Sequence, residues 1–589
     1  MLGSISEIID NQAFVKLAID INSQSNLINL HVIFEDGTKK IVGEIVNVSQ
    51  TQLTVNIVGE IKNEKFFPGF SSKPSFKSKV RIIALNELEL ILGKQTPSVG
   101  QTFFGFSNIY QNYRINININ DFFSNHFAIL GNSGSGKSCT VASIIQKLFT
   151  STPTAPIKSN IFIFDAFGEY TNAFSTLKNK NPNLSYKTYT TNTTFADSDI
   201  VKIPTWLLDV DDLALLLDVT TPNQLPILEK TLKLVPVLTG EESEVIKYKN
   251  DIIARAIEDI LLSGANSTKI RDQVIAILTK FNTSQLNLES EIVQPGYVRT
   301  LKQCLFIDKT GKFQEIELVT EFIRSFIHKE FDQEEKKDSK TCFYNLADLE
   351  ETLEFALISE GILKSEKVYD SANVLSVRLH SLVNSNNRKY FEYPKFVDRN
   401  TYVADLLTDR LTGNKCQIVN FNINYVDDRL AKVITKILSK MLFSLAVENE
   451  NRGSIPFHIL IEEAHRYVQK DKDVEILGYN IFERITKEGR KYGIFLGLIT
   501  QRPSELSDTT ISQCSNFVIL RTIHPKDLDY IKNMVPNISS EVVQQLKSLQ
   551  PGNCIAFGTA FKVPISMHVE FPNPAPNSNN VDLATIWYR

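Results

Sequence analysis

Hydrophobic and polar residues alternate in short runs through the first part of the chain: FVKLAI (14–19), LHVIF (30–34), IVGEIVNV (41–48), LTVNIV (53–58) and KVRIIAL (79–85). A period of two puts one side of each segment in a core and the other in water, which is the pattern of a β-strand. Turn residues such as Glu35-Asp36-Gly37 separate the runs. Five or six short strands at this spacing predict a small β-barrel over residues 1–95. From residue 126 the texture changes. HFAIL (126–130) and NIFIFD (160–165) are continuous apolar runs, expected as buried strands, and 137–149 between them has helical spacing. Residues 205–400 carry long amphipathic stretches with few strand signals, among them DDLALLLD (211–218), KYKNDIIARAIEDILL (247–262) and SANVLSVRLHSLV (371–383). Strand-like runs return with CQIVNFN (416–422), FHILIE (457–462), IFLGLIT (494–500) and FVILRT (517–522), around a helix over 428–448. The expected units are a barrel (1–95), an α/β core in two parts (96–204 and 401–570) with a helical insertion between them (205–400), and a tail (571–589). The charged run 332–340 is expected as a solvated loop, and PNPAPNSNN (572–580) as an irregular tether.

Composition narrows the function classes. Of 589 residues, 42% are hydrophobic and 22% charged, which excludes a disordered chain. The net charge is −4 and the pI about 6.2. A nucleic acid would therefore have to be held by a local basic surface such as a pore. The six cysteines form no CxxC pair and have no histidine at metal spacing, so neither a disulfide framework nor a zinc site is expected. No run approaches the ~20 apolar residues that span a bilayer, and the first residues lack a signal-peptide pattern. The expectation is a cytoplasmic protein without membrane contact.

The chemistry is concentrated in four segments. Gly131-Asn132-Ser133-Gly134-Ser135-Gly136-Lys137-Ser138 is a G-x-x-x-x-G-K-[ST] loop between an expected strand and helix. Glycines there let backbone N–H groups turn toward phosphates at a helix N-terminus. Together with the next residue, Cys139, this loop is assigned to nucleotide binding; Lys137 would reach the β- and γ-phosphates of ATP, and Ser138 would ligate Mg²⁺. In HILIEEAH (458–465) an apolar strand ends in two carboxylates. Glu462 is assigned to the metal side and Glu463 to orienting the attacking water, although a strand followed by a capping acid has the same local pattern. Asp165-Ala-Phe-Gly168-Glu169-Tyr170 follows the second buried strand. Its acids either support metal and water, or the segment is a strand-exit turn with Gly168 at positive φ. Finally, KEGRKYG (487–493) precedes IFLGLIT and Gln501. The Arg490/Gln501 pair fits γ-phosphate sensing, and a basic helix C-terminus with a glycine cap is compatible with it.

Taken together these segments resemble the HerA branch of the HerA/FtsK superfamily. The resemblance runs through HFAILGNSGSGKS (126–138), DAFGEY (165–170), PTWLL (204–208), EEAH (462–465) and KEGRKYG…TQRPSEL…QC (487–514), with the early strands similar to the family's HAS barrel. It implies an α/β P-loop NTPase of RecA-like, ASCE type, with an N-terminal barrel and a helical insertion. It further implies a homohexamer with DNA in a central channel and ATP at subunit interfaces. Glu463, Lys137, Arg490, Gln501 and Glu169 would be catalytic, with Ser138, Glu462 and Asp165 on the metal. Two positions depart from the family pattern. Glu462 stands where an Asp is usual, and Asn125 stands where many members carry an Arg acting across the interface, leaving Arg466, Arg484 and Arg521 as alternatives. The expected function is an ATP-dependent DNA translocase or helicase. It would act with a NurA-like nuclease, or with a sirtuin-like or nuclease effector in phage defence, docked on the barrel. The competing expectation is an ATP-binding ring scaffold that holds such an effector with little translocation.

Overall fold

The structure, a computed structural model, describes residues 1–19, 26–151, 155–194, 199–239, 242–309, 311–328, 342–359, 366–410, 412–534, 540–578 and 582–588. The charged run 332–340 lies outside them.

The early alternating runs form strands β1 (Gly3–Ile9), β2 (Gln12–Leu17), β3 (His31–Asp36), β4 (Lys39–Val48), β5 (Gln52–Lys62), β6 (Lys65–Pro68) and β7 (Lys79–Ile82). Their order is β2-β1-β7-β3-β4-β5-β6, and β2 pairs again with β5, from Gln12↔Asn56 to Lys16↔Gln52. Six strands therefore close into a barrel, and β6 is a hairpin appended to β5. Ile5, Val15, Val32, Phe34, Ile45, Val55 and Val80 fill its interior. Register shifts in β4 at Val42/Gly43 and Ile45/Asn47 mark bulges, which bend long strands enough to close a small barrel. The helix Leu85–Leu92 leaves the barrel, and its Leu88, Ile91 and Leu92 join a cluster shared with the larger sheet.

That sheet has eleven strands: β8 (Gln101–Ser107), β9 (Arg114–Asn118), β10 (Phe127–Leu130), β11 (Ile161–Asp165), β12 (Tyr186–Thr190), then, beyond a separate hairpin of β13 (Glu291–Gln294) and β14 (Tyr297–Thr300), β15 (Ile418–Asn422), β16 (Phe457–Ile461), β17 (Ile494–Thr500), β18 (Asn516–Ile519), β19 (Asn553–Gly558) and β20 (Phe561–His568). The order is β12-β15-β11-β16-β17-β10-β18-β19-β20-β8-β9. The first seven are parallel and the rest antiparallel. Both faces are buried. Ala128, Leu130, Phe162 and Phe164 point into one core, and Phe127, Ile129, Ile161 and Ile163 into another. This is why these strands are apolar throughout instead of alternating. The helix Asp428–Glu448 covers the first face and Lys137–Thr150 the second.

Between the two halves of the sheet sits a helical block. Leu225–Leu238 packs partly on the sheet's core, while Glu242–Leu261, Ser267–Lys280 and Ile316–Arg324 gather around a core of their own. The β13–β14 hairpin is an addition that residue periodicity did not announce. Trp206, in PTWLL, is fully buried, and its indole N–H donates to the Val397 carbonyl (2.8 Å). Among the described residues no helix is long and apolar enough to cross a membrane.

Candidate nucleotide site

The order β16-β17-β10 sets the site. The P-loop leaves the C-terminal end of β10, and the two acids leave the same end of β16, with one strand between them. The chemistry gathers at the carboxyl edge of a parallel sheet, where strand ends are free of ladder partners. Gly134 and Gly136 adopt left-handed φ of 72° and 97°, which turns the chain sharply into the helix Lys137–Thr150. The Gly131 N–H donates to the Thr500 carbonyl (3.2 Å) and the Asn132 N–H to the Arg521 carbonyl (2.9 Å). Ser135 donates its hydroxyl to the Asn132 carbonyl (2.7 Å), while its own carbonyl accepts from Gly552 N–H (3.1 Å). The loop is thus fixed by both flanking strands and by the turn before β19. The first-turn N–H groups of the helix, which have no partner within a helix, stand over it.

Lys137 is 8% exposed, and its Nζ lies 3.2 Å from the Asn132 carbonyl. Burial pulls the ammonium below the ordinary lysine value, and Glu463, Glu462 and Glu169 pull it back up. Those three carboxylates surround it. The Ser138 hydroxyl and the Tyr170 hydroxyl each donate to Glu462 Oε1 (3.3 Å). Burial raises Glu462 well above the usual carboxylate range, with Asp165 and Glu169 adding repulsion. Glu463 is the one non-glycine residue in this cluster at positive φ (47°), which swings its side chain off the strand direction. Burial raises its carboxyl too, against the pull of Lys137. His465 Nδ1 lies 3.2 Å from Glu463 Oε2 and 3.0 Å from Thr500 Oγ1. Gln501 follows Thr500 directly, at the same edge.

DAFGEY is a strand-exit turn, and its two acids face different partners. Asp165, fully buried, accepts from the N–H groups of Glu169 (3.0 Å) and Tyr170 (2.9 Å) and from Asn420 Nδ2 (3.2 Å). Through these bonds it shapes the turn, and it also lies against Glu462, whose carboxyl its charge helps to raise. Gly168 has φ 74°, as the turn requires, and a Cβ there would meet the Asn422 amide at 2.5 Å. The turn presents the Glu169 carboxylate to the side of Ser138.

A Mg²⁺ ion bound with nucleotide fits the donors present. Glu169 Oε2 and Glu462 Oε2 are buried without a hydrogen-bond partner among the described residues, beside the Ser138 hydroxyl, and Glu463 Oε2 faces His465 Nδ1. No group of three His, Cys, Asp or Glu suited to hold a metal occurs among the described residues. That is compatible with Mg²⁺, which takes one or two protein oxygens and the phosphates.

Arg490 is not brought to the site. It precedes β17 at the amino edge of the sheet, exposed, near His126. β17 spans seven residues, roughly 20 Å at strand rise, so Arg490 cannot reach the P-loop of its own chain. Asn125, at the same edge, is 6% exposed and donates to the Asp121 carbonyl (2.8 Å). Arg484 lies in the helix Ile481–Glu488 that leads toward that edge, stacked over Phe443 and Tyr479. Arg466 and Arg521 instead lie at the carboxyl edge of their own chain. Arg466 pairs with Asp428, and the Arg521 Nε is buried without a partner among the described residues. Sequence reasoning missed Tyr170, His465, Thr500 and Asn420. The polar residues in the buried strand VNFN (419–422) were the available signal.

Against known proteins, the family described as "Helicase HerA, central domain" matches residues 105–310. The DNA double-strand break repair helicase HerA of Saccharolobus solfataricus is 30% identical over 203 residues, covering 33% of this chain and only 40% of that protein. The HerA of Pyrococcus furiosus, with the same description, is 22% identical over 518 residues, 88% of this chain and 77% of that protein. Among solved structures, VirB4 of Thermoanaerobacter pseudethanolicus aligns over 80% of this chain and 97% of its own at 14% identity, with a TM-score of 0.41. So low a score adds nothing to the argument.

Proposed function

Because this chain belongs to the HerA branch of the HerA/FtsK superfamily, we propose that it is an ATP-driven DNA translocase or helicase working as a ring of six copies. The observation that carries the reading is the convergence of Lys137 and Ser138 with Glu462 and Glu463, from two strands separated by one.

In this reading the P-loop holds the phosphates of ATP, with Lys137 on the β- and γ-phosphates. Ser138 and Glu462, with Glu169 beside them, hold Mg²⁺, which neutralises the phosphate charge. Glu463 orients the attacking water and accepts its proton. Lys137 stabilises charge on the transferring phosphoryl group, and Gln501 reports the γ-phosphate to β17. The cation that completes the site comes from another copy, since Arg490 faces away from its own P-loop. DNA runs through the channel of the ring. The barrel, with a core of its own, serves as the docking part (1–95) for a nuclease or defence effector. The units 96–204, 401–570 and the insertion 205–400 are the parts of the motor.

The test is phosphate release with and without duplex DNA. We expect DNA-stimulated turnover that Lys137→Ala abolishes while also weakening ATP binding, and that Glu463→Gln abolishes with binding retained. Turnover of Lys137→Ala within about twofold of the parent would overturn the site. Tight ATP binding with no DNA stimulation would favour the scaffold.

A further inference from the structure

After β20 the chain does not leave the molecule. It doubles back along the P-loop helix. Val569 N–H donates to the Gly552 carbonyl (2.9 Å), and Glu570 pairs with Lys147. Gln146 then takes hold of the segment with both ends of its amide. Oε1 accepts from Asn573 N–H (2.9 Å), and Nε2 donates to the Pro574 carbonyl (2.8 Å) and to the Ala173 carbonyl (2.7 Å). Gln146 is 7% exposed, so these bonds are made out of water. Farther on, Asn577 N–H donates to the Glu169 carbonyl (2.8 Å), and Ser578 lies against the Cys139 side chain.

The contacts step from Lys147 through Gln146 to Cys139, from the last turn of the helix to its first, roughly 12 Å at helical rise. Pro572 and Pro576 are buried along the way, whereas Asn577 and Ser578 are exposed. The strap ends beside Cys139, the residue after Ser138, and on the backbone of Glu169, whose carboxylate meets Ser138. Phosphates seated on this helix N-terminus must lead their α-phosphate and sugar out past that first turn. Two exposed polar side chains, Asn577 and Ser578, stand there.

We propose that Pro572–Ser578 is the ribose-side wall of the nucleotide site, with Asn577 and Ser578 facing the sugar hydroxyls and Gln146 as the positioning residue that holds the wall in place. The inference rests on the nucleotide-binding reading above and deepens it. It separates two parts of the tail: residues up to 578 act on nucleotide within their own chain, and those beyond do not.

The experiment compares the full chain with chains ending at Ser578 and at Glu570, and with Gln146→Ala in the full chain. Binding of Mg·ATPγS is read by calorimetry, and kcat and KM are measured with ATP and with 2′-deoxy-ATP. Ending at Ser578 should leave the Kd within about twofold of the full chain. Ending at Glu570, and Gln146→Ala, should each weaken binding about tenfold, as expected for one or two lost hydrogen bonds to a sugar. The kcat at saturation should be unchanged, and discrimination against 2′-deoxy-ATP should be reduced. Equal Kd for the two truncated chains, or a fall in kcat without a change in KM for Gln146→Ala, overturns the proposal. Should the shortest chain not fold, amide exchange in the full chain decides. Exchange at Asn577 slows with Mg·ATPγS if the wall is real, and an unchanged rate overturns it. Binding by the full chain is the reference, so failure of the nucleotide reading itself shows as no binding there.

Discussion

Tyr170 shows how much a single hydroxyl can settle. Its ring is fully buried, and its hydroxyl donates to Glu462 Oε1 (3.3 Å), the same oxygen that Ser138 meets. Glu462 is one methylene longer than the usual Asp at this position, and a longer acid needs a second anchor to point one way. Tyr170→Phe keeps the ring and removes the anchor. We expect kcat to fall about threefold to tenfold, near 1 kcal/mol for one neutral-donor bond to a carboxylate. The Mg²⁺ concentration for half-maximal activity should rise, with little change in ATP binding by the P-loop. Unchanged kcat and unchanged Mg²⁺ demand would show that Ser138 alone orients Glu462.

At the scale of elements, the turn 165–170 and the barrel's exit helix each hang on few contacts. Gly168 has φ 74° and no room for a Cβ against Asn422. Gly168→Ala is expected to cost about 1–3 kcal/mol by strain and displacement, lowering the Tm and, through Glu169 and Tyr170, kcat. A variant with unchanged Tm and kcat would mean that the turn adapts. The helix Leu85–Leu92 is tied to the barrel by Glu87, 4% exposed, which accepts from Arg81 Nη1 and Nη2 (both 2.8 Å) and from Lys40 (2.7 Å). Arg81 holds the Glu87 carboxyl at about 2. A carboxyl depressed on folding stabilises the folded state above its unfolded value near 4.3, and that contribution is lost as pH falls toward its folded value. Glu87→Gln should therefore cost about 2 kcal/mol at pH 7, and the gap in thermal stability should narrow as pH falls from 5 to 2. A gap independent of pH would assign the effect to packing.

For the whole molecule, the position of Arg490 at the amino edge of the sheet sets a test of catalysis between copies. Arg490→Ala and Glu463→Gln, each inactive alone, should recover activity when mixed and reassembled. One intact Glu463 then meets one intact Arg490 in roughly a quarter of the interfaces of an evenly mixed ring. No recovery on mixing would deny Arg490 a role across the interface. The end of the tail is a separate device. The short helix Leu583–Trp587 buries nothing on its own chain, and Ile586, Trp587 and Tyr588 are 63%, 71% and 89% exposed. Aromatic residues so exposed are typical interface anchors. Removing them by ending the chain at Ser578 should lower the assembled fraction most at low protein concentration, as mass photometry over a dilution series reads. An identical assembly profile would leave these residues without a role in the ring.

Local spacing alone identified the P-loop, the acid-tipped strand and the barrel. Each is written in neighbours a few residues apart: glycines that permit left-handed φ, an apolar run ending in Glu462 and Glu463, alternation with period two. What the spacing could not carry is strand order, because hydrogen-bonded pairing between β10, β17 and β16 joins segments hundreds of residues apart. That order decided that Gln501 lies beside the P-loop while Arg490, eleven residues earlier, lies at the opposite edge. It also made Asp165 the support of a turn, because Asn420 of β15 and two backbone N–H groups bond its oxygens. The tail followed the same rule. Its composition forbade regular structure, yet only the folded helix Lys137–Thr150 offered the amide of Gln146 that holds it against the nucleotide site.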